Sequence, residues 1–188
     1  MGLWVALGAC AIALQFPWAQ RLAGQAQTIL LRLRGPVTPP DSIVILAIDE
    51  ESFAQGEFYQ SDPEQFSHLE PLQAWPWQRS AYAIAIEKLM DAGAQAVALD
   101  ILLVDPSVYG WEDDDRLQAV LNEYGDRVVL ATSYDRAVTA AGVLTQQLQP
   151  LYDPASFNLG FINVPVDVDQ RIRHLPDATL ANLANDEC

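Results

Sequence analysis

Three short apolar runs, separated by amphipathic segments, dominate the hydrophobic pattern of this 188-residue chain. Residues 43–48, 96–102 and 128–132 are nearly continuous in Val, Ile, Leu and Ala, which is typical of strands buried on both faces of a parallel sheet. Between these runs, residues 80–92 and 113–124 have the apolar spacing of amphipathic helices. The order β-α-β-α-β, with helix-length crossovers, predicts a mainly parallel sheet with right-handed connections.

Local signals support both helices. Gly93 is suited to end the first helix, because it accepts the left-handed conformation that commonly follows a helix C-terminus. In the second helix acidic residues occupy the first turn, and we expect Leu117, Val120 and Leu121 to face the core. Residues 52–74 are polar with scattered aromatic side chains, and we expect them to form an irregular surface insertion.

The alternation of strand and helix ends after Ser133. Residues 160–164 and 172–175 predict two shorter strands around an Asp-rich turn, which would form a hairpin at the end of the sheet. The predicted fold class is therefore α/β, with three layers and a mainly parallel central sheet extended by a C-terminal hairpin.

The N-terminal end has a different pattern. Residues 2–19 contain no charged side chain, and Arg21 ends this run, which predicts a transmembrane or signal-anchor helix over residues 1–20. Cleavage as a secretory signal and burial as an ordinary helix are the alternatives. Residues 25–34 then predict a short amphipathic helix with apolar residues on one side and arginines near its end.

These features divide the chain into four parts. The predicted membrane helix precedes a juxtamembrane helix and Pro-rich linker over residues 21–40, where Gly35-Pro36 stops the helix and Pro39-Pro40 stiffens the linker. A folded domain is predicted over residues 41–177. Residues 178–188 form a tail, where the chain is expected to be either truncated or complete as a stand-alone module.

Charge is unevenly placed along the chain. The net charge is −15, and all 25 Asp and Glu residues lie at or beyond Asp41. An acidic domain of this kind repels phosphate backbones, which excludes nucleic-acid binding, and it also disfavours anionic lipid headgroups. Three arginines follow the N-terminal apolar run and no basic residue precedes it, so the positive-inside rule taken literally would keep the domain in the cytoplasm. Charge alone therefore leaves the membrane orientation open.

Two carboxylates stand at predicted strand ends, where open α/β sheets bind ligands. Asp49 and Asp100 would lie close together if their strands are neighbours, and they would then bind a metal, act in acid–base chemistry, or cap backbone and pair with Arg79. Trp75 and Trp77 flank a proline just before Arg79, and they form either a ligand-binding wall or a cover for the sheet edge. We expect Asp49, Asp100 and Arg79 to converge, with Trp77 packed alongside.

Motifs of catalysis are missing from the sequence. It contains no Gly-x-Ser-x-Gly elbow, no His-Glu-x-x-His helix, no phosphate-binding Gly-rich loop and no cysteine cluster. Asp167 and Asp169 are spaced as in a calcium loop, but the required glycine and glutamate are absent. We therefore predict no catalytic residue, no metal site and no cofactor. Cys10 and Cys188 are badly placed to bridge, so no internal disulfide is expected.

Four sequence blocks, in order, resemble the CHASE2 domain. The first is the opening strand over residues 41–52, and the second is the Trp75-Pro76-Trp77-x-Arg79 segment. The third is the helix-to-strand passage over residues 89–101. The fourth is a closing signature over residues 160–176, in which Gln170 stands where a glycine is usual.

The resemblance implies an extracytoplasmic sensory module of bacterial, often cyanobacterial, transmembrane receptors. On this basis we expect a single-pass protein of the inner membrane with its domain on the periplasmic side, an output domain absent from the chain, and an unknown small-molecule or protein ligand. A homodimer or a separate signalling partner is compatible with this organisation. The candidate ligand-binding residues are Asp49, Trp75, Trp77, Arg79, Asp100, Asn163 and Arg173.

Two other functions remain open at this point. One is a partner-binding or assembly domain that uses the surface of Trp75 and Trp77. The other is a metal-dependent hydrolase in which Asp49 and Asp100 hold a divalent cation, although no nearby base or nucleophile is evident.

Overall fold

A computed structural model describes residues 17–139, 142–164, 166 and 171–172 of the chain. The chain divides into two compact units, Met1–Leu46 and Ala47–Cys188. The predicted membrane segment lies almost entirely outside the described residues. Within the described ranges, none of the helices combines the length and the apolar character needed to cross a bilayer.

The first unit contains one long described helix, α1, over Pro17–Arg34. It confirms the amphipathic helix predicted over residues 25–34 and extends it by two turns toward the N-terminus. Gly35 ends the helix with φ of 73°, and its N–H donates to the carbonyl of Leu31 at 3.2 Å. The predicted stop at this glycine is confirmed, because a left-handed residue after a helix costs least when it has no Cβ.

The strand predicted over residues 43–48 is wrong in this structure. The segment carries no ladder pairing, and Ile43, Val44, Ile45 and Leu46 are between 68% and 85% exposed. An apolar run indicates a tendency to be buried, whereas a strand also requires a partner with free backbone groups at the right register.

The second unit places three α-helices and four strands within its described residues. In chain order these are α2 Glu50–Ser61, α3 Arg79–Asp91, β1 Val97–Leu99, α4 Trp111–Tyr124, β2 Val128–Thr139, β3 Gly142–Leu148 and β4 Asn158–Phe161. The predicted helices over residues 80–92 and 113–124 are confirmed within two residues at each end. The predicted insertion over residues 52–74 is wrong, because α2 and a 3₁₀ helix over Ser67–Leu72 occupy most of it.

Strand β2 organises the sheet. Its first half pairs in parallel with β1, at Val97 opposite Val128, and with β4, at Asn158 opposite Val129. Its second half pairs with β3 in an antiparallel hairpin. Two of the three described strand pairings are therefore parallel, as predicted, and the third is antiparallel, so the described sheet is mixed.

The described hairpin is not the one predicted over residues 160–175. It joins β2 to β3, whereas β4 belongs to the parallel part of the sheet. Residues 162–164 form no strand, and residues 173–175 lie outside the described residues. Strand β2 continues past Ser133 into a polar segment, which lacks the continuous apolar run that predicts a buried strand.

Helices α3 and α4 pack together and cover one face of the parallel strands. The inward predictions for α4 are confirmed, since Leu117, Val120 and Leu121 are at most 1% exposed. They share a core with Val128 and Leu130, which alternate onto the same face of β2. A further helical layer on the opposite face remains a prediction.

Helix α2 begins at a capping box and is held by close backbone packing. The side chain of Asp49 accepts from the Ser52 N–H at 3.0 Å, and the Ser52 hydroxyl accepts from the Asp49 N–H at 3.3 Å. Gly56 is buried against the backbone at the end of the 3₁₀ helix. A Cβ at this glycine would lie 2.7 Å from the Leu72 carbonyl oxygen and 2.8 Å from that of Gln73.

We predict that Gly56→Ala destabilises the second unit although alanine favours helices. The gain in helix propensity is about 1 kcal/mol, and overpacking against two backbone carbonyls costs about 1–3 kcal/mol, so the net change is a loss. Urea unfolding followed by tryptophan fluorescence measures the difference. Glu57→Ala, at the next and exposed position of α2, is the control and should change stability little. A Gly56→Ala protein more stable than wild type would show that the backbone around Leu72 and Gln73 can move away from α2.

Candidate functional site

The segment before α3 brings two tryptophans and an arginine to one end of the second unit. Trp77 is 7% exposed and belongs to the core, whereas Trp75 is 55% exposed. Phe53 of α2 contacts both tryptophan rings, with centroids 5.4 Å from Trp75 and 5.6 Å from Trp77. Trp77 therefore covers the core, as one of the two predicted uses requires, whereas Trp75 is exposed, and a ligand-binding role of either ring stays a prediction.

Arg79 is buried, and its guanidinium joins two later parts of the chain. Its Nε lies 3.4 Å from Oδ1 of Asp114, at the start of α4. Its Nη2 donates to the backbone carbonyl of Asp105 at 2.7 Å. The side chains of Arg79 and Asp114 are only 10% and 14% exposed, so this is a largely desolvated ion pair.

Asp113 caps helix α3 from the neighbouring helix. Its two carboxylate oxygens accept from the backbone N–H groups of Arg79 at 2.7 Å and Ser80 at 2.9 Å. The first N–H groups of a helix have no partner within that helix, and a carboxylate there also interacts favourably with the helix dipole. Asp113 accepts a third hydrogen bond, from the Ser107 hydroxyl at 2.6 Å, which fixes the preceding loop.

The carboxylate of Asp114 also accepts hydrogen bonds from more than one part of the chain. It accepts from the Ser107 N–H at 2.8 Å and from the Tyr152 hydroxyl at 3.1 Å. Burial raises the pKa of Tyr152; the nearby Arg79 opposes this shift and the Asp114 carboxylate adds to it. Tyr152 is therefore a hydrogen-bond donor to Asp114 at every physiological pH. We call Arg79, Ser107, Asp113, Asp114 and Tyr152 the Arg79 cluster.

A small cleft opens beside the Arg79 cluster. Its volume is about 230 Å³, and it lies between the segment before α3 and the loop after β1. Nη1 of Arg79 has no hydrogen-bond partner among the described residues. Every fully buried side-chain nitrogen in those residues has a partner, so Nη1 is not fully buried and solvent reaches it. The lining residues are Pro76, Trp77, Arg79, Leu102, Asp105, Pro106, Ser107 and Val108.

The predicted convergence of Asp49, Asp100 and Arg79 is wrong. Asp49 caps α2, where the Ser52 backbone N–H, and then its hydroxyl, lower the pKa of the carboxyl. Asp100 follows the short strand β1 and is exposed. Neither is bonded to Arg79, because no strand over residues 43–48 brings Asp49 to the sheet and the carboxylates of α4 occupy the guanidinium instead.

Asn163 has a structural role in the described chain. Its side-chain amide accepts from the Tyr134 N–H at 2.7 Å and donates to the Tyr134 carbonyl at 2.9 Å. The amide thus continues the pairing of β4 with β2 beyond the last strand residue, and the ring of Tyr134 stacks on Phe161 with centroids 5.3 Å apart. Arg173 lies outside the described residues. As ligand-binding residues, the candidates remain predictions.

The residues that hold Arg79 were missed by sequence reasoning. Asp113 and Asp114 belong to a run of four acidic residues, from Glu112 to Asp115, which the dipole of α4 accounts for on its own. The useful signal was the number of acidic residues in this run. Consecutive residues of a helix point in different directions, so the carboxylates of one turn cannot all face solvent when another helix packs against it. In the described part of the chain no three His, Cys, Asp or Glu side chains are grouped as metal ligands.

The CHASE2 domain family model matches residues 4–184, which is nearly the whole chain. No match to the chain was found among curated proteins or among solved structures. The family assignment therefore stands on the sequence match, and the Arg79 cluster and its cleft are observations on this chain alone.

We predict that Arg79→Met lowers the free energy of unfolding by about 3–5 kcal/mol. The change leaves the buried carboxylate of Asp114 without its cation, while the methionine keeps most of the apolar stem. Urea unfolding measures the loss.

Arg116→Met is the matched control. Arg116 pairs with Glu87 at 2.5 Å, but the two side chains are 40% and 32% exposed, so we expect a loss of about 0–1 kcal/mol. Equal effects of the two substitutions would mean that solvent screens the Arg79 pair as well.

Proposed function

Because the chain belongs to the CHASE2 domain family, a family of extracytoplasmic sensory domains, we propose that it senses a small ligand outside a bacterial cytoplasmic membrane. In this proposal the N-terminal segment anchors the chain in the membrane. The second unit holds the ligand-binding site and carries no catalytic function. The observation that supports the site is a small cleft lined by both Arg79 and Trp77.

The charges around the cleft select the class of ligand. Arg79 is the cation of the site, the carboxylates of Asp113 and Asp114 lie against it, and Asp105 also lines the cleft. The local balance is therefore negative, which disfavours an anionic ligand in spite of the arginine. The free N–H groups on Nη1 favour a neutral molecule with an acceptor oxygen.

The size and lining of the cleft restrict the ligand further. A volume of about 230 Å³ is below the usual range for drug-sized ligands, which starts near about 300 Å³. Trp77, Leu102 and Val108 supply apolar wall on either side of the guanidinium. We infer a compact amide or hydroxyl compound that lays an apolar face on this wall and accepts from Nη1.

A ligand in this position would act on the contact between two helices. Arg79 begins α3, and Asp113 and Asp114 begin α4, so the guanidinium and the two carboxylates tie both helix starts together. A ligand that draws Arg79 toward the cleft weakens its long, 3.4 Å contact with Asp114 first. Ligand binding would then change the position of α3 relative to α4, and this change would carry the signal.

We predict that a small neutral amide binds in the cleft and that a small anion does not. The protein is labelled with 5-fluorotryptophan, the Trp77 resonance is identified with Trp77→Phe, and N-methylacetamide and acetate are titrated in turn. N-methylacetamide should shift the Trp77 resonance, and acetate at equal ionic strength should leave it unchanged. Trp111, which is 72% exposed, is the internal control.

The site is tested by filling the cleft. Val108 is 76% exposed in the loop that lines it, so Val108→Trp should block the cleft and abolish the shift without unfolding the protein. Val164→Trp, at another exposed position, should leave it intact. If acetate shifted the Trp77 resonance more than N-methylacetamide does, the argument from the negative local charge would be refuted. If N-methylacetamide gave the same shift in Val108→Trp and Val164→Trp, binding would lie outside the cleft.

We also predict that the second unit is exported. A fusion of alkaline phosphatase after residue 188 should be active, because this enzyme needs the oxidising conditions outside the cytoplasm to form its disulfides. A β-galactosidase fusion at the same position is the reciprocal control and should be inactive. The reverse pattern would contradict the proposed location.

A further inference from the structure

Helix α1 presents an apolar stripe to solvent. Leu22, Ile29 and Leu33 are 58%, 57% and 79% exposed. At 100° per residue these three positions fall within an arc of about 40°, and Leu30 widens it to about 100°. The exposed fractions show that the other described residues of the first unit do not cover the stripe.

The charges of α1 all have one sign. Arg21 and Arg32 lie on one flank of the apolar stripe and Arg34 lies on the other, and the helix contains no acidic residue. Every carboxylate side chain of the protein lies at or beyond Asp41. A basic helix therefore precedes an acidic unit, and the two ends of the chain favour partners of opposite charge.

We propose that α1 lies flat in the headgroup region of an anionic phospholipid bilayer, with its apolar stripe toward the acyl chains. The stripe supplies large apolar side chains at the depth of the acyl boundary, and the flanking arginines extend to the lipid phosphates. The helix is about 27 Å long and carries three arginines.

Charge favours a lipid surface over a second copy of the helix. Two copies of α1 packed by their apolar stripes would bring six arginines together, with no carboxylate on either helix to compensate them. An anionic bilayer instead supplies phosphates beside every arginine. Each Arg near such a surface strengthens binding by about fivefold at low salt.

The test follows the depth of α1 in the full-length chain. Cys10→Ser and Cys188→Ser remove the native thiols, and a nitroxide label is attached in turn at Ile29→Cys on the stripe and at Gln27→Cys on the opposite side. The protein is incorporated in vesicles of phosphatidylcholine alone or mixed with phosphatidylglycerol. Collisions with oxygen report the acyl region, and collisions with a water-soluble nickel chelate report solvent.

In the anionic vesicles, the label at residue 29 should favour oxygen and the label at residue 27 should favour nickel. The triple variant Arg21→Gln, Arg32→Gln, Arg34→Gln should lower the ratio of docked to undocked helix by roughly a hundredfold. The matched Arg→Lys triple variant keeps the charge and should remain within a few-fold of wild type.

Four results would overturn the proposal. Nickel access at both positions would place the helix in water, and oxygen access at both would place it inside the bilayer. Protection of residue 29 from both reagents would show that protein covers the stripe, as a second copy or the acidic unit would. An equal response in neutral and anionic vesicles would remove the role of the arginines.

Discussion

The second unit depends on the pairing of one buried arginine with the carboxylates of the next helix. Arg79 stands at the first position of α3, and its charge is held by Asp114 while its backbone N–H is held by Asp113. The same two carboxylates fix Ser107, and Asp114 also receives the hydroxyl of Tyr152. Two adjacent side chains of α4 therefore hold three other parts of the chain, which a desolvated site requires because every buried charge there must be matched.

This arrangement also explains why the cleft is where it is. The loop after β1 returns to the start of α3, where the Asp105 carbonyl accepts from Arg79, and this loop and Trp77 line the same cleft. The guanidinium is satisfied at Nε and Nη2 but reachable at Nη1. The ion pair between α3 and α4 therefore leaves one guanidinium nitrogen outside the hydrogen bonds of the described residues.

The distribution of charge separates two kinds of recognition along the chain. The acidic second unit repels anionic surfaces, whereas α1 carries only arginines among its charged residues. A domain held at a membrane by a basic helix would be kept off the headgroups by its own carboxylates. Its cleft would then remain open to solutes, which suits a sensory family.

The sequence by itself determined the elements whose signals are local. The spacing of Leu117, Val120 and Leu121 predicted the buried face of α4, and Gly93 predicted the end of α3, which closes with bonds from Gly93 to Met90 and from Ala94 to Leu89. The parallel pairing of β1 with β2 followed from the crossover length between them. Four ordered blocks also predicted the family.

Tertiary structure alone decided which groups meet. Residues 43–48 have the composition of a buried strand, yet they have no paired backbone, and Asp49 caps a helix. The partner of Arg79 lies 35 residues further on, at Asp114, and no local pattern joins the two. The physical reason is that the spacing of apolar residues and helix capping depend on residues a few positions apart. Strand pairing and ion pairs depend instead on which distant segments pack together.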